Sequence, residues 1–210
     1  KSPNGKVAFS MKLESGILYY TVSLEDSVLL YNSPLGINRK DAMFTRNLTL
    51  VSRKSIKVEE QYQLKVGKQL MCNASANETD FTFQNQSGNT ITIQVRAYNE
   101  GVAFRYVFPE KSDKTYSIDV ENTGFRLPLD GKAWIMPYDT VSMYTPSYET
   151  FYTNGAAIGT VSPNKEGWSF PALFQVKNKW VLITESGLTE NYCASHLQPN
   201  PIEGLYQIRF

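Results

Sequence analysis

Apolar and polar side chains alternate along this chain almost without a break, in short runs separated by turn-forming residues. Successive side chains on a strand point to opposite faces, so a period of two specifies strands with one buried face and one wet one. Residues 6–13 alternate, Gly16 interrupts, and 17–24 alternate again before Glu25-Asp26-Ser27 turns into 28–31. Residues 48–51, 55–66 and 79–84 continue the pattern. A hairpin follows, with arms at 91–98 and 102–108 and Asn99-Glu100-Gly101 as its turn. Further strands are expected at 116–120, 124–127, 133–136, 172–176, 180–184 and 206–210. No stretch offers an amphipathic helix of three turns. There is also no internal repeat and no Pro/Ser-rich linker, so residues 1–210 read as one all-β domain, a sandwich or a barrel.

Between 137 and 166 the periodicity dissolves, yet the segment stays rich in aromatic residues. A long irregular stretch inside a compact domain is usually functional or disordered, and its aromatic content argues against disorder. The chain's 13 tyrosines are first a signature of pleated, half-buried surfaces. Exposed rings would also suit the apolar faces of sugars, and Trp134, Tyr144, Tyr148, Tyr152 and Trp168 are the candidates for such contact.

Several function classes fall away. A net charge of +1 gives no reason to expect nucleic acid or an anionic membrane as partner. The sequence has no G-x-S-x-G elbow, P-loop, C-x-x-C or H-E-x-x-H motif. His196 is the only histidine, which excludes histidine-pair catalysis and multi-histidine zinc sites. Cys72 and Cys193 could pair or remain free thiols. Sequons at Asn47, Asn73, Asn77 and Asn85 are weak signals at this composition. Lys1 is not an initiator methionine, so a processed product that has lost its targeting segment is expected.

Among the carboxylates, Glu100 sits in a hairpin turn and reads as solvated. Glu149 lies in the aromatic stretch "SYETFY", and Glu185 ends the apolar run "WVLIT". A strand end is where a loop-built site is presented, and oxygen ligands of this kind suit calcium.

Short stretches spaced along the whole chain carry a resemblance. They are Ser2-Pro-Asn-Gly-Lys6, Ser33-Pro-Leu-Gly36, Tyr98-Asn-Glu-Gly-Val-Ala-Phe-Arg-Tyr106 and Glu121-Asn-Thr123. Trp134 with Tyr148-Glu149, Ile183-Thr-Glu185 and Asn191-Tyr192 complete the series. In this order they resemble the N-terminal domain of glycoside hydrolase family 97, bacterial α-glucosidases and α-galactosidases typical of gut Bacteroidetes. The resemblance implies a β-super-sandwich like that of galactose mutarotases, packed against a (β/α)8 catalytic barrel that this chain lacks. It implies a calcium ion held mainly by barrel glutamates, with one carboxylate lent by this domain: Glu185 first, Glu149 second. It implies an α-linked glucoside or galactoside as the parent enzyme's substrate, with Trp134, Tyr148 and Tyr152 as contacts. A periplasmic or secreted location follows from the same likeness. With the barrel absent, no catalytic residue is expected here and the fragment alone should not hydrolyse glycosides. A free-standing carbohydrate-binding or scaffold sandwich is the alternative.

Overall fold

A computed structural model describes residues 1–140, 142–143, 150–190 and 192–210. The protein is all-β. Its strands are β1 (Val7–Glu14), β2 (Ile17–Leu24), β3 (Ser27–Leu35), β4 (Ile37–Arg39), β5 (Ala42–Met43), β6 (Thr49–Gln63), β7 (Met71–Gln84), β8 (Thr90–Tyr98) and β9 (Val102–Val107). They continue with β10 (Ile118–Glu121), β11 (Gly124–Arg126), β12 (Lys132–Ile135), β13 (Thr153–Ala157), β14 (Ala172–Val176), β15 (Lys179–Ile183), β16 (His196–Leu197) and β17 (Leu205–Arg209). Among the described residues the only helical element is a 3-10 turn, Ile202–Gly204. By its contacts the chain divides into two compact units, one of Lys1–Val28 with Gly36–Val120, the other of Leu29–Leu35 with Glu121–Phe210.

In the first unit, β1 and β2 pair antiparallel from Val7↔Leu24 to Glu14↔Ile17. Strands β6, β7, β8 and β9 form a four-stranded antiparallel sheet in that order. Apolar faces of the two meet where Tyr20 stacks on Phe9 at 5.2 Å and approaches Phe104 at 5.4 Å. Ile91, Ile93 and Val95 line the buried face of β8 while Gln94 and Arg96 leave it, as the alternation requires. The Asn99-Glu100-Gly101 turn closes with the Tyr98 N–H donating to the Gly101 carbonyl at 2.8 Å.

A cation is built into this unit. The Arg39 side chain is almost fully buried. Its guanidinium lies 3.8 Å from the Tyr116 ring centroid, 4.7 Å from that of Phe108 and 5.9 Å from that of Phe44. Asp41 accepts from Nε and Nη2 at 2.9 and 2.8 Å, and Glu110 accepts from Nη1.

The second unit places a sheet of order β13-β12-β14-β15 beside one of order β11-β17-β16. Ala133, Ile135, Ala172, Phe174 and Val176 face inward from the first, and Phe174 meets Tyr206 of the second at 5.0 Å. Burial pushes the Tyr206 hydroxyl up to about 12. Between β12 and β13 the register slips, because Ala133 pairs with Ala156 but Trp134 with Asn154. The extra residue, Gly155, has φ +68°, the left-handed region that glycine enters freely.

Most strands fall where the alternation puts them. Residues 49–63 form one continuous strand rather than two, and β13 arises inside the stretch expected to be irregular. Pro137 forms an isolated antiparallel bridge with Trp168. Trp168 is a correction to the sugar-contact candidates: it is wholly buried, paired with Leu197 through hydrogen bonds of 2.9 and 2.8 Å.

Candidate functional site

The second unit carries Glu185, Trp134 and Tyr152. Glu185 follows β15 after one residue, and the short strand β16 begins at His196. Ser195 links the two. Its backbone N–H donates to Oε1 of Glu185 at 2.8 Å, and its hydroxyl donates to Oε2 at 3.0 Å. The carboxylate is thus held in one orientation by two donors, half-buried, with a second lone pair left on each oxygen. Nearby in the chain, the Tyr192 hydroxyl donates to Oε2 of Glu121 at 2.6 Å, and its ring meets Phe210 edge-on at 5.6 Å. These contacts fasten the loop that leaves β15.

The outer face of the β13-β12-β14-β15 sheet is apolar where alternation would predict polar residues. Trp134 on β12 pairs with Leu173 on β14, and Leu173 with Leu182 on β15, so the three lie in one row across the sheet. Trp180 joins them, its ring centroid 4.8 Å from that of Trp134. Trp180 is 53% exposed and Leu182 61%. Tyr152, 44% exposed, immediately precedes β13, whose Asn154 pairs with Trp134. The structure therefore brings Trp134 and Tyr152 to neighbouring strands. Tyr148 and Glu149, like Tyr144, lie outside the described residues. Trp180 was not singled out from the sequence. Its signal was there, because Lys179-Trp-Val-Leu-Ile183 is apolar on both faces at once, which a half-wet strand has no need to be.

No group of three or more His, Cys, Asp or Glu side chains gathers among the described residues. Calcium takes six to eight oxygens, so an ion at Glu185 would draw at most two of them from this carboxylate. Cys72 and Cys193 are both free thiols.

His196 sits against this loop but is built as a neutral core residue. Its ring stacks on Tyr138 at 4.0 Å, and Nε2 has no hydrogen-bond partner. Burial, and then the Arg209 cation, lower its pKa below the ordinary 6.5, while Glu166 acts in the opposite sense. The unfolded chain then binds the proton more readily than the folded one. The stability that depends on neutral His196 is full above about 6.5 and is lost as pH falls below it. Thermal melts from about pH 7.5 down to about pH 5.5 should show a falling midpoint, and His196→Gln should flatten that slope.

The family model described as "Glycosyl-hydrolase 97 N-terminal" matches residues 1–210, the whole chain. This chain belongs to that family. A probable retaining alpha-galactosidase of Streptomyces bingchenggensis is 33% identical over 183 residues, which are 87% of this chain and 27% of the relative. The crystal structure of a beta-arabinopyranosidase superposes on all of this family 97 N-terminal domain with TM-score 0.94 at 30% identity, using 35% of its own length. A family 97 enzyme from Pseudoalteromonas sp. strain K8, solved with panose, covers the whole chain at TM-score 0.82 and 22% identity, with 31% of its own length. The same enzyme has been solved with acarbose. The domain thus spans about a third of the length of these relatives. What they bind is bound by proteins three times its size.

Proposed function

We propose that this family 97 N-terminal domain is one folding unit of an α-glycosidase and completes the active site of the catalytic (β/α)8 barrel that accompanies it. The observation that carries the reading is Glu185, a carboxylate held by two Ser195 donors just after β15, the strand whose Trp180 meets Trp134. In this role Glu185 lends calcium a ligand, and the barrel's carboxylates supply the others. Bound there, the ion would serve as a Lewis acid and a positioning charge for the sugar. Ser195 fixes the carboxylate's direction, and Trp134 with Tyr152 forms part of the wall of the carbohydrate pocket. The substrate class is an α-linked glucoside or galactoside. Glu149 is the second candidate ligand and Tyr148 a further sugar contact. The protein works in the periplasm or outside the cell.

Because one carboxylate cannot replace a calcium shell, the isolated domain should bind the ion only weakly, on the order of millimolar by titration calorimetry. In the parent enzyme, Glu185→Gln should cost at least about tenfold in activity at limiting calcium, partly recovered by raising the calcium concentration. Unchanged activity and calcium dependence would remove Glu185 from the role and leave Glu149.

The pair of half-buried Trp134 and exposed Trp180 also favours a second reading, a carbohydrate-binding sandwich that needs no barrel. Under it, an α-glucan or galactoside should quench tryptophan fluorescence of the isolated domain along a saturable curve. No response to any of these sugars leaves the first reading.

A further inference from the structure

The β6–β7 hairpin is longer than the sheet that carries it. Strand β8 pairs with β7 only from Ala76 to Gln84, whereas β6 pairs with β7 as far as Gln63↔Met71. The pairs from Glu59↔Ser75 to Gln63↔Met71 therefore form a two-stranded arm, roughly 17 Å long at the usual rise per residue. Among the described residues no third strand pairs with it. The Leu64 N–H donates to the Leu70 carbonyl at 2.9 Å and closes the tip. A two-stranded ribbon alone in water is marginal, and this one ends in side chains that water does not favour. Val66 is 85% exposed and Leu70 64%, with Tyr62, Leu64 and Met71 exposed beside them. Lys65 and Lys68 are the only charged residues between Gln63 and Met71.

We infer that this tip, residues 63–71, docks into an apolar, acid-rimmed recess on the segment that accompanies the domain in family 97 proteins. The inference rests on the functional reading above, that such a segment is present. Three observations select the occupant. The domain fills only about a third of its solved relatives, so most of their surface comes from elsewhere in the chain. The beta-arabinopyranosidase superposes along all of this chain, so the arm belongs to the shared fold rather than to this sequence alone. A second copy meeting tip to tip would set Lys65 and Lys68 against their own images, and like charges across an interface repel.

The test compares hydrogen exchange in the 210-residue chain with exchange in the parent polypeptide. Tip amides should exchange freely in the chain alone and at least about tenfold more slowly in the parent. The double variant Val66→Asp, Leu70→Asp should leave the midpoint of the chain alone within about 1 °C and lower that of the parent by about 4 °C or more. Equal exchange at the tip in both proteins overturns the inference, as does an equal effect of the double variant on both. Protection in the isolated chain that grows with its concentration assigns the tip to a second copy and also overturns it. Amides of 184–190, around Glu185, separate the two ideas. Slowed there but free at the tip, the arm inference fails and the functional reading stands; unchanged in both places, the functional reading fails as well.

Discussion

Gly167→Ala is expected to destabilise the second unit severely. Gly167 has φ +107°, a conformation that side chains with a Cβ rarely adopt. An added methyl would also lie far inside van der Waals contact with the Leu197 carbonyl oxygen and 3.1 Å from its carbon. Those atoms are backbone and cannot rotate away. Relief would require separating Trp168 from Leu197, two residues joined by a reciprocal pair of hydrogen bonds. The Gly167 carbonyl is itself an anchor, accepting from the Tyr138 N–H at 2.9 Å and the Ser162 hydroxyl at 2.8 Å. Clash, strain and lost bonds together should exceed about 4 kcal/mol, a large part of the stability of an ordinary domain. Trp168 emission and near-ultraviolet circular dichroism would report the loss. Gly88→Ala is the control: its φ is +85°, but nothing lies within 4 Å of the new methyl, so about 1 kcal/mol is expected. Similar midpoints for the two variants would contradict the packing described here.

Arg39→Ala should be a strongly destabilising truncation in the first unit. Its carboxylate partners are half-exposed, at 52% for Asp41 and 34% for Glu110, and would rehydrate once the cation is gone. Most of the loss therefore comes from the cavity between Tyr116, Phe108 and Phe44 and from the cation–π contact. Together these should cost about 2–4 kcal/mol, which is a fall of about 5 °C or more in midpoint for a chain of this size. Arg39→Lys keeps the charge but loses the planar fork and its stacking, so it should recover only part of the loss. Full recovery by lysine would mean that charge alone, not the ring stack, is what the site uses.

The period of two carried most of the fold because burial of one face is a local demand, read residue by residue along a strand. It failed where the demand was absent. Strand β6 is an edge exposed on both faces over most of its length, so Arg53 and Lys54 disturb the pattern without disturbing the pairing. Strand β13 escaped notice because Gly155 shifts its register by one residue. The pairs β4–β5 and β16–β17 are too short for any periodicity. At the candidate site, Glu185 was legible as a carboxylate ending an apolar run, whereas the grip of Ser195 was not, since ten residues separate them and only the fold joins them. Trp168 was misread for a related reason: in an irregular stretch nothing local distinguishes a ring that packs inward from one that faces water. The arm was not legible as a projection, because where β8 stops pairing is a property of the sheet.

The most direct test is to mix this chain with a separately expressed family 97 barrel and assay p-nitrophenyl α-glucoside and α-galactoside hydrolysis with calcium. Hydrolysis that neither piece shows alone, and that Glu185→Gln in this chain lowers at least about tenfold at limiting calcium, is the expected result. A folded barrel that neither binds this chain nor gains activity from it would contradict the assignment as a completing domain.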